Sequence, residues 1–285
     1  VPHAPAPLLR QLSANSTPYR DPLGLVDWEA LAARGFWLPE PALSLHGLPQ
    51  YAALGLETRE RLSRYEFANA LCCGLWLEGA LLQRLARRLA PGLPHTEHEY
   101  LLHELREEAG HSLMFLRALE ASGLALPESA WRAPRLAHLA ARFAPAQGAL
   151  FWAAMLIGED VPDRFNRWLR ACSDALNPAV RQIITLHVVD EARHITLARH
   201  RLGAALARAS TARRALLSAA TRLLLQQLVR AFYFPPARFY ELAGLVPGAF
   251  WRRLALGNRA RRELIAQCLA PTLRLLESCG LRVAR

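Results

Sequence analysis

The stretch that decides the fold runs from His187 to His194 and reads HVVDEARH. Positions 187, 191 and 194 form H-x-x-x-E-x-x-H, advancing one helical turn and then almost another, so in a helix all three side chains share one stripe. The surrounding run, AVRQIITLHVVDEARHITLARHRLGAALA from Ala179, is opened by Asn177 and by Pro178, which suits a first-turn position. Its Ile, Val and Thr would fit a strand, but length and periodicity select a helix. Ionisable groups inside such an apolar helix are expensive to bury unless another charge or a metal compensates them.

The same spacing occurs once more. Glu108 and His111 form E-x-x-H within REEAGHSLMF, as Glu191 and His194 do within VVDEARHITL. A carboxylate and an imidazole at i and i+3 lie on one helix face, where they can grip a single ion. Two further glutamates stand alone in apolar text, Glu78 in GLWLEGALL and Glu159 in AMLIGEDV. One E-x-x-H on a solvated helix is usually coincidence. Two copies, with a glutamate from each of two other helices, form the donor set of a four-helix bundle around paired iron or manganese. The chain runs 30 residues from Glu78 to Glu108 and 32 from Glu159 to Glu191, the length for one helix to go out and its neighbour to return. His187 adds a third imidazole and makes seven candidate ligands. Glu107 and Asp190, each just before a ligand glutamate, are candidates to accept the distal N–H of the opposing imidazole, Glu107 serving His194 and Asp190 serving His111. Glu66 is a rival to Glu78, placed by its polar surroundings at a surface or channel. Asp160 rivals Glu159, and Pro162 blurs the local phase that would separate them.

Working outward, RERLSRYEFANALCCGLWLEGALLQRLARRLA from Arg59 to Ala90 predicts a long helix closed by Pro91 and Gly92. The next is predicted from an N-cap at Thr96, with Glu99 completing a capping box, to near Gly123. A shorter segment, APRLAHLAARF, follows Pro134. Pro162 predicts a kink or restart close to Glu159, and later helices are expected over Thr211 to Phe232 and Asn258 to Cys279, the latter broken or kinked at Pro271. The first 55 or so residues are proline-rich, and are expected to wrap the core rather than form long helices. Arg84, Arg87 and Arg88 read as one solvated face, and so do Arg252, Arg253, Arg259, Arg261 and Arg262. Arg193 either ties its helix to a neighbouring acid or faces water. Cys72 and Cys73 read as core residues. Five cysteines without a CxxC pair argue against a disulfide framework or zinc ribbon. No P-loop or dinucleotide-binding glycine pattern occurs, and the most apolar stretch, GALFWAAMLIG, is too short to span a bilayer. A soluble, cytoplasmic protein is expected, with no transmembrane segment and no nucleic-acid partner. The net charge of +11 identifies no partner by itself.

On Glu78, Glu108-x-x-His111, Glu159 and above all His187-x-x-x-Glu191-x-x-His194, the chain resembles the AurF-like non-haem diiron oxygenases typified by p-aminobenzoate N-oxygenase. The resemblance covers about Gly47 to Ala204, with weaker support from VDWEALAARGFWLP and YEFANALCCGLWLEG. It implies an all-α, ferritin-like four-helix bundle at approximately 59–204, inside one diiron oxygenase domain of 1–285 with an N-terminal wrap and added C-terminal helices. It implies that the seven residues ligate two Fe ions, with Mn as a substitute, and that dioxygen is co-substrate. The expected activity is oxidation of a small metabolite with external electrons, as an arylamine N-oxygenase or as a hydroxylase or oxidase acting at carbon. An iron store and a non-catalytic carrier-docking protein are the remaining readings. An electron-donor protein or reductase is the implied partner, with a homodimer and an acidic carrier protein as further candidates. The substrate cavity is expected between the first two bundle helices, lined by Leu71, Leu75, Leu101 and Leu105.

Overall fold

The computed structural model describes residues 4–32, 35–135, 137–139, 148–172 and 176–283, and among these it is helical with no strand. Helices α1 (Ala6–Ser16) and α2 (Pro49–Ala52) precede α3 (Leu56–Ala86) and α4 (His95–Ala121), and then α5 (Ala149–Ala171) and α6 (Pro178–Ala207). The C-terminal part adds α7 (Thr211–Tyr233), α8 (Ala237–Leu242), α9 (Gly248–Gly257) and α10 (Arg259–Ser278). Each of the four long helices α3 to α6 starts beside a proline or glycine: Gly55, Pro94 and Gly148 are N-caps, and Pro178 occupies the first turn of α6. Part of the APRLAHLAARF segment lies outside the described residues.

Two helical hairpins make the bundle. Helices α3 and α4 pack along each other, α5 and α6 do the same, and α4 meets α6 across the middle. Phe67, Leu71, Met114, Trp152, Leu156, Ile183 and Leu202 fill the space between them and are almost wholly buried. Each such side chain contributes roughly 1.5–3 kcal/mol relative to exposure. Helices α7 and α10 flank α5. The proline-rich N-terminal segment does cover this core, placing Trp37, Leu38, Leu43 and Leu45 inside it. It also supplies α1, which packs on α4 through Leu9 and Leu12 beside Tyr100. Asn258 fastens the wrap to the C-terminal part. Its Oδ1 caps α10 while its Nδ2 donates to the carbonyls of Ser44 and His46 at 2.9 and 2.8 Å.

Several expectations need correction. Helix α3 starts three residues before Arg59 and ends at Ala86 rather than Ala90. Thr96 is not a cap, because the extended Pro94 already ends the preceding segment and its carbonyl receives the N–H groups of Glu97 and His98. At Pro162 α5 continues without a restart, and α10 continues through Pro271. Proline withholds one N–H and crowds the carbonyl four residues back. For Pro162, packing of α6, α7 and α10 against α5 outweighs the lost bond. Glu66 is no surface or channel residue. Buried in the core, it accepts hydrogen bonds from the Ser44 N–H and hydroxyl and lies 3.8 Å from Arg261. Arg84, Arg88 and Arg261 are buried, not solvated. Arg88 donates to Glu97 Oε1 at 2.9 Å and lies over the Trp152 ring, and Arg201 donates to the same oxygen.

Candidate metal centre

The i, i+3 spacing turns Glu108 and His111 of α4 toward Glu191 and His194 of α6, with Glu78 of α3 and Glu159 of α5 closing the two sides. All six, and His187, are buried. Their ligand-type atoms form two groups, Glu78 with His111, His187 and Glu191, and Glu108 with Glu159, Glu191 and His194, each within 4.8 Å of one another. Glu191 belongs to both. Its Oε1 lies 3.4 Å from His111 Nδ1 and its Oε2 3.4 Å from His194 Nδ1. Glu108 spans the same two imidazoles at 3.3 and 2.9 Å. His187 approaches through Nε2, 3.3 Å from Glu78 Oε1. Asp160 faces away, to Thr272 at 2.5 Å and to Arg164 at 2.9 Å. Glu159, not Asp160, enters the cluster, because adjacent residues on a helix point about 100° apart.

The outer nitrogens of the two E-x-x-H histidines are also engaged. His194 Nε2 lies 2.9 Å from Glu107 Oε2, and His111 Nε2 lies 3.2 Å from Asp190 Oδ2. Arg193 joins the two acids, 2.9 Å from Glu107 and in contact with Asp190. That contact decides between its two readings: it ties helices and does not simply face water. The acids fix both rings with Nδ1 inward, and the shared guanidinium fixes the acids.

Charge explains why such a cluster needs cations. Burial, with repulsion from Glu108, holds the Glu78 carboxyl well above the carboxylate range, and burial with repulsion from Glu191 does the same to Glu159. Burial also opposes ionisation of Glu108 and Glu191, but His194 for Glu108 and His187 with His194 for Glu191 outweigh it and lower both. His111 rises to about 10 because hydrogen bonds to Asp190 and Glu108 exceed its desolvation. His194 rises too, for Glu108 and Glu191 overcome its burial. His187 falls to about 4 by burial. Without metal, protons therefore neutralise the site. Glu78 Oε2, Glu159 Oε1 and both Glu191 oxygens are buried with no hydrogen-bond partner. Four carboxylates around two divalent cations would balance charge, and orphaned oxygens are the donors such cations take. The residues fit a dimetal centre.

A cavity of about 40 Å³ adjoins the cluster, lined by Glu78, Glu159 and His187 with Phe115, Ile183 and Phe232. Of the four leucines expected there only Leu71 lines it, since the space opens toward α5, α6 and α7 rather than between α3 and α4 alone. Sequence reading missed Glu104, wholly buried one turn before Glu108 with neither carboxylate oxygen hydrogen-bonded. Its setting, LLHELREEAGH, is polar enough to hide it.

Residues 4–280 match the family described as P-aminobenzoate N-oxygenase AurF, and the chain belongs to that family. It is a non-haem dimetal oxidoreductase of the ferritin-like, all-α class that acts with dioxygen, and its two metal sites are of the iron or manganese type. Uncharacterised proteins of Mycobacterium tuberculosis and Mycobacterium bovis are 26% identical over 275 residues, 94% of this chain and 79% of theirs. An R2-like ligand-binding oxidase with Mn/Fe cofactor superposes with a TM-score of 0.52 at 17% identity, covering 98% of this chain and 93% of that one. A variant of that oxidase with Fe/Fe cofactor gives 0.53 at 17%, covering 98% and 94%. These structures share the fold. No helix among the described residues is long and apolar enough to cross a membrane.

Proposed function

We propose that the chain is a monooxygenase of small metabolites, acting at the nitrogen of an arylamine. Its two metals would be held by Glu78, His111, His187 and Glu191 on one side and by Glu108, Glu159, Glu191 and His194 on the other. The observation that carries this reading is the pair of buried donor groups sharing Glu191. When bound, the metals supply two-electron reduction of dioxygen. One oxygen atom enters an N–H bond and the other leaves as water, with two electrons from an external reductase or small electron-donor protein and two protons from solvent. The chain's own part is positional. Glu107 and Asp190 hold the imidazoles, Arg193 holds the acids, and the apolar walls of the cavity exclude water from the reacting group. Residues 1–285 would act as one domain built on a bundle at 59–204, working in the cytoplasm, and a homodimer and an acidic carrier are further partners to test. The Mn/Fe cofactor named for the structurally similar oxidases supports testing manganese beside iron.

Anaerobic loading with each metal, elemental analysis, then a screen of arylamines with reductant and oxygen tests the reading. Two metals per chain and an N-oxidised product are expected, with D160N keeping both metals and E159Q losing at least half of one. Fewer than about one metal per chain sinks the ligand assignment, and product oxidised only at carbon replaces N-oxygenation by a hydroxylase.

A further inference from the structure

The cavity beside the metal cluster is too small for the proposed substrate. A water needs roughly 10–15 Å³ of such volume, so the 40 Å³ present holds about three waters, not an aromatic ring. A second space of about 90 Å³ lies next to it, walled by Trp76, Leu81, Phe151, Met155 and Leu228. Leu77 and Gly158 line both. A Cβ on Gly158 would sit 3.7 Å from Leu77 Cδ2, so the leucine side chain rests where α5 offers bare backbone. That glycine immediately precedes Glu159. Leu77, an aliphatic side chain that can rotate, thus stands over a residue that has none at the place where both spaces meet.

Joined, the two spaces approach the roughly 150 Å³ of apolar cavity known to stay dry and take up benzene. The lining of the outer one is almost entirely hydrocarbon and aromatic, with Arg84 as the one charged residue among the described lining. Trp76 is fixed in its wall by an indole N–H donated to His138 Nδ1 at 3.3 Å, and packs on Trp131. An uncharged ring gains by burial here, whereas a second charge would have to be stripped of water.

We propose that this outer chamber binds the ring of an uncharged one-ring aromatic substrate, and that Leu77 over Gly158 is the gate through which its oxidisable group reaches the metal side. This rests on the monooxygenase reading and names its substrate class. The test uses the metal-loaded protein with xenon and benzene as probes. Crystals under xenon pressure show an anomalous peak between Trp76, Phe151 and Met155, and benzene raises Tm in a saturable way. A154L and A80L, which project side chains into the chamber from α5 and α3, each remove the xenon peak and at least halve the benzene shift, while L77A tightens benzene binding severalfold. Absence of xenon from the wild-type chamber, or an undiminished benzene shift in both filled variants, overturns the proposal. Metal content and product are measured on the same samples, which separates the two readings. Wild-type rates of arylamine oxidation in both filled variants refute the chamber and leave the activity. Benzene and xenon binding without any oxidised arylamine supports the chamber and refutes the N-oxygenase.

Discussion

Replacing Glu104 by glutamine should stabilise the metal-free protein, by an amount that grows with pH. The Glu104 carboxyl is wholly buried and unpartnered, and burial raises it to about 8, His194 opposing and Glu108 adding to the rise. The sign follows from proton counts. Between about 4.5, its usual value unfolded, and about 8, the folded chain holds a proton that the unfolded chain has released, so stability falls as pH rises through that window. At pH 7 the gap from 4.5 is about 2.5 pH units, or roughly 3 kcal/mol at 1.36 kcal/mol each. Glutamine has nearly the shape of the protonated acid and carries no charge to desolvate. Urea unfolding of both proteins at pH 5, 6, 7 and 8 gives the assay. E104Q should match the wild type within about 1 kcal/mol at pH 5 and exceed it by roughly 3 kcal/mol at pH 7, a Tm gain of several degrees. A difference that stays flat across these pH values, or an E104Q protein less stable at pH 7, would show that Glu104 is ionised and paired, refuting the reasoning.

Three other perturbations probe the same network. R193A leaves Glu107 and Asp190 free to turn from His194 and His111, so metal affinity in a competing-chelator titration should fall about 10- to 100-fold, and unchanged affinity would deny Arg193 its role. E97A removes the buried carboxylate that the guanidinium groups of Arg88 and Arg201 share, which should lower unfolding stability by about 3–5 kcal/mol with an unaltered urea slope. Loading both metals at pH 7 should release protons from the groups held above their usual range, Glu78, Glu159, His111 and His194, seen as buffer-dependent calorimetric heats. His187, lowered to about 4, contributes none, and metal binding without proton release would contradict the protonation pattern.

The features legible in sequence were those set by local geometry. E-x-x-H fixes which face of a helix an acid and an imidazole share, and the 30- and 32-residue separations fix which helices return beside each other. The pairing of Glu107 with His194 and Asp190 with His111 follows from that phase. What escaped depends on contacts between distant segments. Glu66 looks solvated beside its sequence neighbours, yet its partners are Ser44, 22 residues earlier, and Arg261 of α10. Arg88 looks like part of a wet arginine face until Glu97 and Trp152 are placed against it. Pro162 and Pro271 are breakers by propensity, and only the packing of neighbouring helices lets α5 and α10 run through them.

The same distinction changes the meaning of the net charge. Among the described residues ten acidic side chains are buried, Glu66, Glu78, Glu97, Glu104, Glu107, Glu108, Glu159, Asp160, Asp163 and Glu191, against four arginines, Arg84, Arg88, Arg201 and Arg261. The interior thus removes more negative than positive charge from the surface, and the outside of the molecule is more basic than +11 suggests. Two divalent cations inside the bundle would offset the buried acids without altering that surface. An anionic protein surface would therefore be drawn to this one at a rate that falls as salt is added.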